Sequence, residues 1–381
     1  MKILILHSSS DLYGAGKILL ITVAAIQEAG HTPIVIVSEP GPLSDQLQQN
    51  NVDVKFIKLG ILRRKYKSIP GIWNRIKTLY KAHRSIRKII FEEEIDLLYS
   101  NTTAVLVGAL VARSSGIRHI WHIHEIIQKP KILASFLGKI VNRYSHKVIV
   151  VSNAVLDHWK QWVNHEKITC IHNGIDYSPY VSVSNESNTL KDHLLPGNAN
   201  LLVGMIGRVH HWKGQDYFLE IASHLLKMKF SVHFIMVGDV FPGNEYLYEK
   251  LNHIKEEKEL KNHVTDLGYR TDIPALLQSF DLFVLPSIQP DPFPTVILEA
   301  MASAKMVAAT AHGGALEMIT DGADGVLIPW NNAEVAAEKI SIYLQNPALR
   351  KAIGNAAQSK VMDHFSENAF KKRLMDVILN T

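Results

Sequence analysis

The sequence is almost without cysteine: Cys170 is the only one in 381 residues. A lone thiol excludes a disulfide framework and a cysteine-held zinc, and it fits a reducing compartment. Long apolar runs are also missing. No window reaches the roughly 20 residues that a membrane-spanning helix needs. The opening run, Met1–His7, is too short for the apolar core of a secretory signal. These absences place the chain in the cytoplasm, or peripherally on the inner face of a membrane. One stretch lacks acid altogether. Between Asp53 and Glu92 there is no carboxylate, while twelve Lys and Arg occur there, with Arg63, Arg64, Lys65 and Lys67 clustered.

What is present is core-forming material and an uneven charge. Hydrophobic residues make up 47% of the chain, enough for two cores, and the length is too great for one. Residues 1–180 carry 23 Lys and Arg against 13 Asp and Glu, a balance of +10; residues 181–381 carry 18 against 23, a balance of −5. The first half therefore meets something anionic. Ile72, Trp73, Ile76, Leu79, Tyr80, Ile86 and Ile89 recur at helical spacing among the basic residues. A basic amphipathic helix with interfacial Trp and Tyr suits an anionic membrane surface. It equally suits a surface helix packed on its own domain. Nucleic acid fits less well, because no aromatic stacking platform accompanies the basic residues.

The chain opens as a β–loop–helix–β unit: a strand from Lys2 to Leu6, a loop through Gly14-Ala-Gly16, a helix from about Lys17 to Ala29, and a strand from Pro33 to Ser38. Glycines at that place serve a tight turn or the close approach of a ligand. Asp96–Ser100, Ile117–Glu125 and Lys147–Ser152 read as further strands. His122 and His124 share one face of theirs, beside Glu125. The pattern invites a metal, but no third ligand at helical spacing supports it, and a polar contact to substrate suits a strand-end histidine better. Lys167–Asp176 reads as a strand closing on an Asn-Gly turn, and Ser182–Thr189 as a polar linker.

A second domain starts with the strand Leu201–Gly207. Its loop sets Arg208 and Lys213 five residues apart at the strand end, which suits a diphosphate. The densest stretch is Pro286–Met301 together with Gly313-Gly314. A buried strand, Leu282–Leu285, ends at Pro286; prolines 290, 292 and 294 stiffen the next segment. Thr295 is placed to cap a helix running from Val296 to Ala304. A helix start after a rigid loop gathers unpaired N–H groups and the positive end of the helix dipole, an anion site. Asp291 lies before that helix and Glu299 one turn inside it. Two carboxylates flanking such a site suit a ligand with hydroxyls at both ends and phosphate between. Beyond Ala333 the chain reads as helical to its end, with breaks at Pro347 and at Asp363–Glu367.

Taken in order, these motifs resemble the retaining glycosyltransferases of family 4, the group 1 type. The resemblance is carried by Gly14-Ala-Gly16, His124-Glu125, Val151-Ser-Asn153, His172–Asp176, Gly207-Arg208 with Lys213-Gly214, Gly268 with Asp272, Asp291 through Glu299, and Gly313-Gly314 with Glu317. It implies an α/β GT-B fold of two facing Rossmann-like, doubly wound domains with a cleft between them. The acceptor-binding domain would span 1–182, with a terminal helix at about 364–381 packing back on it. The donor domain would span 190–363. By position, Arg208 and Lys213 would bind the donor diphosphate and stabilise the leaving group. Glu299 would hold the ribose, Asp291 would face the transferred sugar, and the amides of Phe293, Pro294 and Thr295 would line sugar and phosphate, the proline giving backbone only. His124 would approach the scissile bond. Gly14 and Gly16 would close on the phosphate, and Gly238 with Arg270 would flank the base.

The chain departs from the family pattern where Asp291 replaces a glutamate and Pro294 a glycine. The implied activity is transfer of a sugar from a UDP- or GDP-sugar to a glycan or lipid-linked glycan, with no metal and no cofactor. A sugar-nucleotide 2-epimerase of the same fold and an inactive nucleotide-sugar-binding subunit are the alternatives.

Overall fold

The computed structural model describes residues 1–61, 69–181, 185–197 and 199–381. The clustered cations Arg63, Arg64, Lys65 and Lys67 lie outside the described residues, as do 182–184 of the expected linker. The chain divides into two compact units, Met1–Gly174 with Glu367–Thr381, and Ile175–Ser366.

Among the described residues, the first unit is built on a seven-stranded parallel sheet in the order β3-β2-β1-β4-β5-β6-β7. Its strands are β1 Lys2–His7, β2 Thr32–Val37, β3 Asp53–Phe56, β4 Leu97–Asn101, β5 Arg118–Ile123, β6 Lys147–Val150 and β7 Ile168–Cys170. Its helices are α1 Gly14–Glu28, α2 Pro42–Gln49, α3 Ile69–Glu92, α4 Val107–Ser115, α5 Lys131–Tyr144 and α6 Asn153–Trp159. The near-continuous apolar character of β1, β2 and β4 follows from helices covering both faces of a parallel sheet. Right-handed crossovers from a chain that starts in the middle send α1 and α2 to one face and α3, α4 and α5 to the other. The contacts agree: α1 packs on α2, and α3 on α4 on α5. The core of that second layer joins Leu4, Leu6, Ile34, Ile36 and Leu98 of the sheet to Ala82 and Ile86 of α3.

The second unit is built on a six-stranded parallel sheet in the order β10-β9-β8-β11-β12-β13, again among the described residues. It opens with two helices, α7 Ser178–Val181 and α8 Asn185–Leu194. Its strands are β8 Leu201–Ile206, β9 Val232–Val237, β10 Val264–Asp266, β11 Leu282–Leu285, β12 Val307–Thr310 and β13 Val326–Ile328. The remaining helices are α9 Gln215–Lys227, α10 Tyr246–Glu257, α11 Ile273–Ser279, α12 Thr295–Ala302, α13 Ala315–Met318, α14 Ala333–Leu344 and α15 Pro347–His364. A last helix, α16 Glu367–Leu379, belongs to the first unit and packs on α1, where Lys371 bonds Glu28 at 2.6 Å.

Three features differ from what the sequence predicts. The polar stretch taken as a linker is helical from Asn185, because α8 packs on α11 and Lys191 pairs with Asp281 at 2.7 Å. The first unit's main segment ends at Gly174 rather than 182, since α7 packs on α11 and α12 of the second unit. The helix after β1 starts at Gly14, not Lys17, so both glycines lie in its first turn. Among the described residues no helix is long and apolar enough to cross a membrane.

Candidate active site

In the second unit the loops at the carboxyl ends of β8, β9 and β11 are locked together through glycines. Gly214, at φ +78°, ends the β8 loop against β11; a Cβ there would lie 1.9 Å from the Pro286 carbonyl oxygen. Ile288 N–H donates to the Trp212 carbonyl at 2.9 Å across the same junction. Gly238, at φ +140°, ends β9 against β8, and its Cβ would lie 2.0 Å from the Gly207 carbonyl oxygen. Only glycine combines such backbone angles with such close approach. The loop carrying Arg208 and Lys213 is thereby fixed at both ends. The Arg208 guanidinium lies over Phe241, its Cζ 3.4 Å from the ring centroid, a cation–π contact that orients it. Gln215 donates to the Arg208 carbonyl at 3.0 Å.

Lys213 is directed at Asp291. Ammonium and carboxylate form a short ion pair, and both side chains are largely buried. The segment carrying Asp291 is held from below by the glycine pair after β12. A Cβ at Gly313, φ +59°, would lie 2.3 Å from the Asp291 carbonyl oxygen, and one at Gly314 would lie 2.4 Å from that of Pro292. The Gly314 N–H donates to the Asp291 carbonyl at 2.8 Å.

The helix that follows differs from the sequence expectation in its cap. Thr295 is its first helical residue, Pro294 is the N-cap, and the helix ends at Ala302. Proline brings no side-chain acceptor, and the first turn contains no acid, so this end has no side-chain cap of its own. Phe293 turns inward onto the Phe365 ring, 5.7 Å between centroids. Glu299 is only 2% exposed. Two phenols of the α7 segment face it. Burial, and then the Glu299 carboxylate, push the hydroxyls of Tyr177 and Tyr180 up, and Tyr180 hydrogen-bonds that carboxylate. Tyr177 is itself tied to the Phe365 carbonyl at 2.8 Å. Neither tyrosine was found from sequence, because each lies far from Glu299 along the chain and carries no motif of its own. Arg270 is engaged in a two-pronged pair with Asp272, 2.8 and 2.5 Å, which raises the arginine and lowers the carboxyl. Its charge is thus matched within its own loop.

Gly14, Gly16 and His124 belong to the first unit. A Cβ at Gly16 would lie 2.2 Å from the Asp11 carbonyl oxygen, so this glycine lets the β1–α1 loop fold against the first turn of α1. His124 stands just beyond β5 in a polar chain. Its Nε2 donates to Asn101 Oδ1 at 2.7 Å, and Asn101 Nδ2 donates to His7 Nδ1 at 2.9 Å. That amide bridge fixes the His124 tautomer and leaves Nδ1 as the acceptor. His122 lies against His124, the rings tilted by 39° with 4.1 Å between centroids, and bonds the Tyr99 hydroxyl at 2.7 Å. The Glu125 carboxylate accepts from the N–H groups of Thr103 and His124 at 3.1 Å each. Among the described residues no group of three or more His, Cys, Asp or Glu is placed to hold a metal ion. His7, Tyr99 and Asn101 were missed from sequence. Their signal is a polar or aromatic residue near the end of an otherwise apolar parallel strand.

Burial gives these groups, together with His119 near the start of β5, a pH signature. It lowers His7 and His119 to about 4, His122 to about 3 and His124 well below its ordinary value, and it raises Glu125 to about 7. Below pH 6.5 the unfolded chain binds protons on these histidines that the folded chain refuses, so stability falls as pH drops toward 4. Glu125 has the opposite sign: between 4.5 and 7 the folded chain keeps a proton that the unfolded chain has lost. Four histidines outweigh one carboxyl, at about 1.4 kcal/mol per pH unit for each net proton. The melting temperature is expected to fall steadily from pH 7 to pH 5; a flat or rising profile would contradict these burial effects.

Two family matches divide the chain between them. Residues 13–178 match the Glycosyltransferase Family 4 description, and residues 186–360 match Glycosyl transferases group 1. The chain is a group 1, family 4 glycosyltransferase. Its α/β two-domain architecture is the GT-B fold. This glycosyltransferase is 26% identical over 364 residues to the Escherichia coli UDP-Gal:alpha-D-GlcNAc-diphosphoundecaprenol alpha-1,3-galactosyltransferase, covering 91% of this chain and 89% of that one. It is 31% identical over 254 residues to the Campylobacter jejuni N,N'-diacetylbacillosaminyl-diphospho-undecaprenol alpha-1,3-N-acetylgalactosaminyltransferase, covering 64% and 63%. A crystal structure of Anabaena HepE in complex with UDP-glucose is 26% identical, with a TM-score of 0.87 over the whole of both chains.

Proposed function

We propose that this glycosyltransferase moves a sugar, with retention at the anomeric carbon, from a UDP-sugar to a lipid-linked glycan in polysaccharide or glycoconjugate synthesis. The observation that carries the reading is the cation loop of the second unit. Arg208 and Lys213 are fixed on one strand-end loop, and Lys213 is already turned onto Asp291 beside a helix start that lacks a side-chain cap. The UDP-glucose of the Anabaena structure and the UDP-Gal of the Escherichia coli relative favour uridine over guanosine as the donor base. Both curated relatives act on diphosphoundecaprenol-linked sugars and form alpha linkages. An alpha product is retention when the donor sugar is alpha-linked to its diphosphate.

In this reading the bond between the anomeric carbon and the β-phosphate oxygen breaks, and negative charge gathers on the diphosphate. Arg208, Lys213 and the N–H groups of Thr295 and Val296 meet that charge, stabilising the transition state more than the bound donor. Phosphate oxygens take the place of Asp291 on Lys213, and the carboxylate turns to the sugar hydroxyls. The acceptor oxygen bonds the anomeric carbon from the side the diphosphate leaves, and its proton passes to the leaving oxygen. Glu299 holds the ribose hydroxyls.

Two side-chain cations occupy the role a metal–phosphate bridge would otherwise fill, so turnover is expected to survive EDTA. The assay runs UDP- and GDP-sugars with and without a diphosphate-lipid acceptor and reads the product anomer by NMR. An inverted anomer, turnover only after added Mg²⁺ or Mn²⁺, or conversion of the donor without acceptor to its 2-epimer would each overturn the reading. The same reading puts the enzyme at the inner membrane face, where a lipid-linked acceptor is held.

A further inference from the structure

Just beyond β12 and β13 of the second unit stand two rings that the donor contacts described so far leave unused. The two strands run in parallel register, with Thr310 opposite Ile328. Extending that register by two residues sets His312 opposite Trp330 on the same face, because side chains alternate along a strand. Their rings lie nearly parallel, 13° apart with 6.2 Å between centroids. Trp330 is 47% exposed, so the indole braces the imidazole and still offers open surface beside it.

The His312 ring is pinned at one nitrogen. Its Nε2 lies 2.7 Å from the Ser287 carbonyl oxygen, to which the Thr310 hydroxyl also donates at 2.7 Å. A carbonyl only accepts, so Nε2 carries the proton and Nδ1 is the acceptor of the neutral ring. Burial outweighs the Ser287 hydrogen bond and the Asp291 charge and holds this histidine below its ordinary range, so the ring is neutral at pH 7. Among the described residues Nδ1 has no hydrogen-bond partner, and it is not sealed from solvent. The two glycines that follow fix where this acceptor stands. A Cβ at Gly313 would collide with the Asp291 backbone, and the Gly314 N–H donates to the Asp291 carbonyl at 2.8 Å. His312 therefore stands beside the carboxylate assigned above to the transferred sugar. A fixed acceptor next to a carboxylate and an open aromatic ring suits a pyranose, whose hydroxyl or amide groups donate while its C–H faces pack on the ring.

We infer that His312 is a specificity-determining residue for the donor sugar: its Nδ1 accepts a hydrogen bond from a hydroxyl or amide N–H of the pyranose, and Trp330 holds the ring in place. This rests on the proposed UDP-sugar donor, and it adds to Asp291 a second, uncharged acceptor for the same sugar.

The test measures binding of UDP, UDP-glucose, UDP-galactose, UDP-N-acetylglucosamine and UDP-N-acetylgalactosamine to the full chain by calorimetry. Two replacements separate the two ring nitrogens. In His312→Gln the amide nitrogen reaches the place of Nε2 and keeps the donor to Ser287, while nothing replaces Nδ1. In His312→Asn the amide oxygen takes the place of Nδ1, and Ser287 keeps only the Thr310 hydroxyl. His312→Gln is expected to weaken at least one UDP-sugar by about tenfold, the size of one neutral hydrogen bond. UDP, which has no pyranose, should bind it as it binds wild type, and His312→Asn should keep the affinity for that same UDP-sugar. A loss confined to the two acetamido donors identifies an amide N–H as the group recognised; a loss that includes glucose or galactose identifies a hydroxyl.

Equal affinities of His312→Gln and wild type for all four UDP-sugars would overturn the inference. So would an equal loss in the Gln and Asn variants, or a loss for UDP as large as for its sugars, since either makes His312 only a brace for the Ser287 loop. Thermal melts establish that both variants are folded. Each of these failures leaves wild-type UDP binding intact, whereas no UDP binding by the wild type fails the donor reading itself.

Discussion

Replacing Lys213 with alanine is expected to lower kcat/KM by about two to three orders of magnitude, and replacing Arg208 by about two. Both cations serve charge that develops as the diphosphate leaves, so the loss should fall on kcat as well as on KM. The larger effect at Lys213 follows from its partner. Asp291 is 7% exposed, and removing the ammonium leaves a buried carboxylate without its ion pair, beside the place assigned to the donor phosphates. Such a variant repels the donor as well as failing to stabilise the leaving group. Asp291→Asn separates the two effects: the cation stays, the repulsion goes, and the loss should be smaller than in Lys213→Ala. Circular dichroism and a thermal melt establish that each variant is folded. Near-wild-type turnover in a folded Lys213 or Arg208 variant would remove the diphosphate clamp from the mechanism.

Glu299→Gln is expected to weaken UDP binding by about 10- to 100-fold, the size of a lost hydrogen bond to a charged group in a buried setting. The carboxylate is 2% exposed and hydrogen-bonded by Tyr180, so it is held for a partner rather than solvated. Ribose recognition gives a second readout. The wild type should discriminate strongly between UDP and its 2',3'-dideoxy form by calorimetry, and the variant should not. Tyr180→Phe, which removes the orienting phenol and leaves the carboxylate, should cost only a few-fold, within the range of one neutral hydrogen bond. Full discrimination retained in Glu299→Gln would place the ribose elsewhere.

Much of the fold could be read along the chain. β1, β2, β8 and β9 are apolar runs flanked by loops and helices, the pattern of parallel strands covered on both faces. The breaks at Pro347 and at Asp363–Glu367 separate α14, α15 and α16. Helix ends were less legible. Gly14 and Gly16 read as a loop because glycine is a poor helix former, yet the fold-back of the β1–α1 loop sets the Asp11 carbonyl against Gly16 and makes glycine the residue this first turn requires. Asn185–Thr189 read as a linker from its polar composition, and the reason it is helical, the packing of α8 on α11, lies some 90 positions away at Asp281.

The sequence by itself determined the class of chemistry. Its lone cysteine, its strand-end glycines and its cations beside proline-stiffened carboxylates are local properties, legible from a few neighbouring residues. Tertiary structure decided which of those groups meet. Lys213 and Asp291 are 78 residues apart and read as two separate donor contacts, and the junction of β8 with β11 makes them one ion pair. Tyr177 and Tyr180 reach Glu299 only because α7 packs on α12. The apolar stripe of α3 was visible as a period, but not its division into Ala82 and Ile86 inside and Trp73 and Ile76 outside. A period fixes which residues share a face; only the neighbouring elements fix where that face is covered and where it ends.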